Sequence, residues 1–91
     1  MTLHFELEEI LSLLHDDREL LEWLWSSGLL SRGRERFTSE EAELARVTGT
    51  LIHELEVNWA GAEVILRMRT ELVATRRQVA ELVVLLRDQK P

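Results

Sequence analysis

Several features that are common in secreted, membrane-bound or metal-binding proteins are missing from this chain. It contains no cysteine, which excludes disulfide bonds and zinc sites built from thiolates. No stretch approaches the roughly eighteen uncharged apolar residues that a membrane helix needs. The N-terminal sequence MTLHFELEE carries acids where a secretory signal carries bases. We therefore expect a cytoplasmic protein without a membrane partner.

The sequence also lacks a recognisable catalytic or cofactor-binding motif. His53 and Glu54 begin like the zinc-protease motif HExxH, but Val57 stands where the second histidine would be. The other two histidines, His4 and His15, have no ligand-like spacing to His53. Glycine-rich phosphate loops and the serine-hydrolase motif are absent as well. We expect a protein that is not an enzyme and that needs no cofactor or metal.

Acidic residues are concentrated near the N-terminus of the chain, whose net charge is −6. Residues 1–31 hold seven acids and one base, residues 32–36 hold three arginines and one glutamate, and the remainder is nearly neutral. The 45% of hydrophobic residues excludes a disordered chain, and the length of 91 residues fits one domain or a small head with a helical arm. An acidic head should repel nucleic acid and attract basic protein surfaces.

Residues 58–89 have the heptad spacing of a coiled-coil helix, with Thr75 as the one polar member of the seam. The apolar members of this predicted seam are Ile65, Met68, Leu72, Val79, Leu82 and Leu86. Such a helix is about 45 Å long, which is more than a small head can cover. The pattern predicts a homodimer with residues 1–57 as the head and 58–91 as the dimerisation helix. The alternative is a helix that folds back on its own head as part of the core.

The chain begins with the pattern of a short strand. Residues 2–7 alternate polar and apolar side chains, which places Leu3, Phe5 and Leu7 on one face. We expect this strand to pair with residues near 34–37 in a two-stranded ribbon, within a fold that is otherwise mainly helical.

Two short helices are predicted next, over residues 8–14 and 17–27. Asp16 or Asp17 is a suitable N-cap for the second of them, and Gly28 follows it as a C-cap glycine would. Two short helices joined by a tight turn make a helix-turn-helix candidate.

The second predicted helix has apolar residues that cannot all enter one core. Trp25 lies roughly 200° around the helix from Trp23, which belongs to the inward stripe. We interpret Leu21 and Trp25 as a half-exposed apolar strip beside Glu22. The alternative is that the following loop covers this strip. The loop itself, with three arginines around Gly33, fits a tight hairpin or wing.

A third helix begins after Thr38, which forms the S/T-x-x-E capping box with Glu41. Its predicted buried stripe contains Leu44, Val47, Leu51 and Leu55. Gly49 in mid-helix costs about 1 kcal/mol relative to alanine, which indicates the close approach of another element. Asn58 is expected to cap the fourth, long helix.

This order of elements resembles the winged helix-turn-helix of the MerR-like proteins, with Gly28-Leu29-Leu30 and Phe37-x-x-Glu40 as landmarks. The closer similarity is to a divergent branch, the chaperone-modulator (CbpM) family, which carries a stretch much like HELxxDWPG. In this chain the stretch reads His53-Glu54-Leu55-Glu56-Val57-Asn58-Trp59-Ala60-Gly61. Asn58 and Ala60 depart from the pattern conservatively, because asparagine also caps helices and alanine is a good helix former.

The resemblance implies a chaperone modulator that binds the J domain of a DnaJ-like co-chaperone of the CbpA type. Binding would stop the co-chaperone from stimulating DnaK. The expected partner contacts, which combine this implication with the acidity of the head, are Asp16, Asp17, Glu19, Leu21, Glu22 and Trp25. The residues that match the family motif are His53, Glu54, Leu55, Asn58, Trp59 and Gly61.

The alternative function is that of a MerR-like transcriptional regulator that binds DNA through the arginines of its wing. DNA-binding relatives carry a basic Arg-Tyr-Tyr on the recognition helix, whereas this chain has Glu22-Trp23-Leu24. A glutamate that faces phosphates is repelled by them. We therefore expect DNA binding to be weak or absent.

Overall fold

The computed structural model describes residues 4–33 and 35–88 as a small head that continues into one long helix. The elements in chain order are strand β1 (His4–Glu6), helices α1 (Leu7–Leu13) and α2 (Arg18–Ser26), strand β2 (Arg36–Thr38), helix α3 (Ser39–Gly49), a π-helical segment (Thr50–Glu54) and helix α4 (Trp59–Asp88). The Cα atoms span 55 × 30 × 21 Å. Within the described residues, the predicted mainly helical fold with four α-helices and one small sheet is confirmed.

Strands β1 and β2 form the predicted two-stranded ribbon, which is antiparallel, with Phe5 opposite Phe37. Phe37 is buried in the core, and Phe5 packs against that core half-buried. Strand β1 ends one residue earlier than predicted, because Glu6 already serves as the N-cap of α1. Leu7 is therefore a helical residue, 37% exposed, and does not share a strand face with Phe5. Leu3 lies outside the described residues.

The loop between α2 and β2 does not form the predicted wing in the residues that are described. Strand β2 pairs with β1, and residues 29–33 and 35 contain neither helix nor strand. Gly33 has a φ of 84°, which fits the predicted tight turn at this position.

A tight turn joins α1 to α2 and uses two residues in the left-handed region, His15 at φ 60° and Asp16 at φ 58°. Of the two predicted N-caps, Asp17 is the one used. Its Oδ1 accepts a hydrogen bond from the backbone N–H of Leu20 at 3.0 Å. Gly28, at φ 79°, follows the last turn of α2 as predicted for a C-cap glycine.

One hydrophobic core joins the elements of the head to the first turns of α4. Its most enclosed apolar side chains are those of Ile10, Leu14, Leu20, Leu24, Phe37, Ala45, Ala62 and Leu66. Among the described residues, Thr48 is the one polar side chain buried in this core, and its hydroxyl donates to the carbonyl of Leu44 at 2.7 Å. Because α4 contributes Ala62 and Leu66, its N-terminal part is fixed to the head.

Helix α3 begins with the predicted capping box. The backbone N–H of Glu41 donates to Thr38 Oγ1 at 3.1 Å, and the N–H of Thr38 donates to Glu41 Oε1 at 2.9 Å. The close approach predicted at Gly49 is also confirmed. A Cβ added to Gly49 would lie 2.3 Å from the carbonyl oxygen of Leu13 in α1.

The buried stripe of α3 ends earlier than predicted. Leu44 and Leu51 are buried and Val47 is half-buried, but Leu55 is 63% exposed. The reason is the π-helical segment Thr50–Glu54, which is closed by a hydrogen bond from the N–H of Leu55 to the carbonyl five residues before it. A turn with this bonding pattern holds more residues than an α-turn, so Leu55 falls out of phase with the stripe. The prediction that Leu55 is buried is wrong.

Helix α4 starts at the predicted cap, since Asn58 Oδ1 accepts from the N–H of Gly61 at 2.7 Å. From residue 71 to residue 88, every residue is exposed. The alternative in which this helix folds back on the head as part of the core is therefore wrong for residues 71–88, although Arg77 pairs with Glu40 of α3. The predicted seam side chains are 41% to 64% exposed within the single chain.

Replacing Gly49 by alanine should lower the free energy of unfolding by about 1–3 kcal/mol, because the new methyl group meets a backbone carbonyl. The better helix propensity of alanine would offset about 1 kcal/mol of that strain. Urea unfolding followed by circular dichroism, at fixed protein concentration, measures the difference.

Gly61→Ala is the matched control for this substitution. Its new Cβ would meet only side-chain atoms, Asn58 Oδ1 at 3.1 Å and Val57 Cγ1 at 3.3 Å, and these can shift. We expect a smaller loss than at Gly49. Equal losses at the two positions would contradict the close contact between α1 and α3 as the cause.

Candidate protein-interaction site

Helix α2 presents the acidic face that the sequence predicted, but with a wider buried side. Glu19 and Glu22 are exposed and Trp25 is half-buried. Leu21 is only 4% exposed and belongs to the core, so the prediction of a half-exposed Leu21 is wrong. The buried side of α2 also includes Leu20 and Leu24. Together with Leu21, these residues cover an arc of about 100° around the helix, so the side chain at position 21 is shielded from solvent.

Trp25 is covered in part by the loop that follows α2, as the alternative interpretation had it. The guanidinium carbon of Arg32 lies 5.2 Å from the ring centroid of Trp25, which is cation–π geometry. Arg32 Nη2 also lies 3.3 Å from Glu22 Oε2. Trp25 Nε1 is buried and has no hydrogen-bond partner among the described residues. The three side chains form one cluster on the outer face of α2, and sequence reasoning missed the part played by Arg32.

Asp17 is held by two contacts and is not a free acidic group. Besides capping α2, its Oδ2 lies 2.9 Å from Nε2 of His53. The ring of His53 stacks on that of His15, with centroids 4.9 Å apart and planes 18° apart. These contacts give Asp17 a structural role, because they connect the turn before α2 to the π-helical segment.

Asp16 and Glu19 are the most available of the predicted charge contacts. Both are exposed, and no ion-pair or hydrogen-bond partner of either side chain is found in residues 4–33 and 35–88. Together with Glu22 and Trp25, they follow one another at a spacing of three residues, from the turn before α2 along the outer face of that helix. Four of the six predicted contact residues therefore lie together on one accessible surface, which we call the α2 surface (Asp16, Glu19, Glu22 and Trp25).

The family-motif residues form the connection between the head and α4. His53 and Glu54 end the π-helical segment, and Asn58 caps α4. The Trp59 ring contacts that of Trp23 in α2 at 5.5 Å between centroids, tilted by 48°. Trp59 thus connects α4 to α2, whereas Leu55 from the same motif is exposed.

A second contact from α4 to α2 was also not predicted from the sequence. Arg67 Nη2 donates to the backbone carbonyl of Ser27 at 2.8 Å. A basic side chain at the C-terminal end of a helix satisfies a carbonyl that has no partner within the helix. The spacing of 40 residues between the two groups gives no local signal in the sequence.

A groove of about 430 Å³ lies between the N-terminal half of α3 and the middle of α4. Ion pairs cross it from Arg77 to Glu40 and from Arg69 to Glu43. The hydrogen bond from Arg46, followed by its charge, lowers the pKa of Glu43 below its ordinary value. The pairs Arg77–Glu40 and Arg69–Glu43 join α4 to α3 from outside the core, and no local pattern in the sequence predicts them.

The exposed part of α4 is apolar on more than one side. The predicted seam residues are exposed, and so are Val83, Val84 and Leu85 near the end of the helix. At 100° per residue, the seam is centred about 130° from the stripe that begins with the buried Ala62 and Leu66. The seam therefore faces away from the head.

No model of a known protein family, no curated protein and no solved structure matches this chain. In the part of the chain that the structure describes, no helix is long and apolar enough to cross a membrane. The same residues contain no group of three histidine or carboxylate side chains that could hold a metal ion.

Replacing Asp17 by alanine should lower the free energy of unfolding by about 1–2 kcal/mol, because it removes an N-cap together with the contact to His53. Asp17→Asn keeps a good capping group and loses only the charge, so we expect a smaller loss. Chemical denaturation of both variants beside the parent measures these losses.

Asp16→Asn serves as the neighbouring control. Asp16 is exposed, and asparagine tolerates its left-handed backbone, so stability should change by less than about 0.5 kcal/mol. A loss at position 16 as large as that of Asp17→Ala would argue against the specific role of Asp17.

Proposed function

We propose that the protein is a chaperone modulator that binds the J domain of a DnaJ-like co-chaperone of the CbpA type and inhibits its stimulation of DnaK. The proposal rests mainly on the α2 surface, where three exposed carboxylates precede a half-buried tryptophan along α2 and the turn before it. The motif at residues 53–61, which resembles that of the CbpM family, supports it from the sequence. Binding alone would suffice, and no catalytic step is required.

Charge complementarity is the first part of the proposed mechanism. The family resemblance implies that the J domain offers a basic second helix to DnaK. Asp16, Glu19 and Glu22 would attract the same helix, because exposed charges of opposite sign steer two proteins together and fix their orientation. Asp17 contributes indirectly, since it holds α2 in place through its cap and through His53.

Competition is the second part. A J domain whose basic helix is covered by the α2 surface cannot offer that helix to DnaK. Apolar contact around Trp25 would hold the complex once charge has oriented it, because aromatic side chains are frequent energetic centres of interfaces. Leu21 is excluded from this role by its burial.

Pairing of two copies through α4 is the third part. Six apolar seam side chains stand exposed on a helix that is uncovered from residue 71 onward, and a second copy of the same seam would cover them. Because the seam faces away from the head, pairing would leave the α2 surface of both chains accessible. The proposed active form is a homodimer with two partner sites.

Within residues 4–33 and 35–88, no surface comparable to the α2 surface supports the DNA-binding alternative. Glu22 is exposed on the outer face of α2, and Arg32 of the neighbouring loop is paired with it. Phosphates approaching α2 would meet acidic groups first. We accordingly propose that duplex DNA binds weakly and without sequence preference.

Reversing two charges of the α2 surface tests the proposed function. The double variant Glu19→Lys, Glu22→Lys should inhibit J-stimulated ATP hydrolysis by DnaK at least about tenfold more weakly, since attraction to the basic helix becomes repulsion. The readout is the concentration of protein that halves the stimulated rate. Circular dichroism of the variant checks that the helices remain.

The control for this test has the same change in net charge away from the α2 surface. Glu8→Lys with Glu81→Lys alters one exposed site on α1 and one on the arm, and should inhibit like the parent. Undiminished inhibition by the α2 variant would contradict the proposal. Tight, sequence-specific binding of duplex DNA by the parent in a gel shift would favour the regulator instead.

Charges placed in the seam test the homodimer. Leu72→Asp with Leu82→Asp should convert a dimer into a monomer in analytical ultracentrifugation, because pairing would bury four carboxylates without partners. Val84→Asp is the matched control: Val84 is 54% exposed, like Leu82 at 57%, but lies about 160° away around the helix. A parent protein that sediments as a monomer at all concentrations would contradict the pairing.

A further inference from the structure

The cluster of Trp25, Glu22 and Arg32 has the geometry of a bound guanidinium group. The Arg32 guanidinium carbon is 5.2 Å from the Trp25 ring centroid, and its Nη2 is 3.3 Å from Glu22 Oε2. An aromatic face and a carboxylate that meet one cation are the two groups with which proteins recognise arginine side chains. In this chain the arginine comes from the loop next to the site.

The two sides of this contact differ in how firmly they are held. Trp25 packs against the hydrophobic core, and Glu22 is on a regular helix whose N-terminus is capped by Asp17. Arg32 lies in the turn before Gly33, and its side chain is 60% exposed. An exposed ion pair of this kind contributes little to stability, so its displacement costs little. Trp25 and Glu22 are therefore held firmly, whereas the Arg32 side chain can be displaced from them.

Trp25 also has an unfavourable feature, a buried polar atom, that its packing against the core does not explain. Its Nε1 is buried without a hydrogen-bond partner among the described residues. A buried donor of this kind destabilises the fold, and an apolar side chain at the same position would avoid the loss. A binding role for the aromatic face of Trp25 would explain why a tryptophan occupies this position.

We propose that Glu22 and Trp25 form a cleft for an arginine side chain of a partner protein, and that Arg32 is an internal competitor for this cleft. The proposal rests on the proposed function in that it names the partner chemistry of the α2 surface. The cleft favours arginine over lysine, because a planar guanidinium can stack on the indole while it pairs with a carboxylate. A partner arginine displaces the Arg32 side chain from the Trp25 ring and from Glu22.

Binding of a fluorescent hexa-arginine peptide, followed by anisotropy, tests the cleft without any J domain. Arg32→Ala should strengthen binding by about two- to fivefold, because it removes the competitor. Arg36→Ala is the matched control: it removes the same charge from an exposed position on β2 that does not contact Trp25. An equal gain from Arg36→Ala would overturn the proposal, since net charge alone would then explain the effect.

Substitutions in the cleft give the complementary result. Glu22→Gln should weaken peptide binding several-fold, whereas Glu8→Gln, which removes one exposed carboxylate from α1, should have a smaller effect. Trp25→Leu should remove the preference for hexa-arginine over hexa-lysine, and Trp25→Phe should retain part of it. Equal binding of the two peptides by the parent, or a preference that survives Trp25→Leu, would overturn the proposal. Because Glu22 is exposed, its variant keeps the test decisive even where Trp25→Leu does not fold.

The failure of this proposal is distinguishable from that of the proposed function. Selective binding of hexa-arginine with no inhibition of J-stimulated ATP hydrolysis would retain the cleft and reject the chaperone-modulator function. Inhibition that depends on Glu19 and Glu22 but is unchanged by Arg32→Ala, with no gain in peptide binding, would reject the cleft and retain that function.

Discussion

The carboxylate of Asp17 connects three segments that are distant in sequence, and the orientation of α2 depends on it. One oxygen caps α2 and the other contacts His53, whose ring stacks on His15 in the preceding turn. That turn uses two consecutive non-glycine residues at positive φ, which is costly and persists only where surrounding contacts fix it. By tying the turn to the π-helical segment, Asp17 determines where the outer face of α2 points.

The α2 surface follows from this arrangement. Since Leu20, Leu21 and Leu24 are all directed into the core, the acidic residues and the face of Trp25 are what remains outside. Contacts from α4 then hold the far end of the same helix, through the Trp23–Trp59 pair and through Arg67 on the carbonyl of Ser27. A surface helix fixed at both ends is a rigid platform, and rigidity lowers the entropy lost when a partner binds.

Local chemistry made much of the fold predictable. The capping box at Thr38, the cap at Asn58 and the glycine after α2 each depend on residues within a few positions of one another. Even the close approach at Gly49 could be inferred, because glycine inside a helix needs a reason. The predictions that were wrong concern the position of a residue around its helix and contacts between residues that are distant in sequence. A π-turn moved Leu55 out of the stripe, a wider buried arc enclosed Leu21, and Arg32 reached Trp25 from a loop without a periodic pattern. The acidic composition indicated the candidate site, but which acids are free depends on ion pairs that only three-dimensional contacts determine.

In the proposed homodimer, the uncovered part of α4 would link folding to protein concentration. Residues 71–88 are exposed throughout, and a helix gains most of its stability from the packing of an apolar face, which these residues lack within one chain. If two arms pair, each copy supplies the burial that the other lacks, so helix formation in the arm would follow mass action. Upon dilution below the dissociation constant of such a dimer, the last turns of the arm would fray while the head, with its own core, stays folded. The length of ordered helix would then depend on how much of the protein is present.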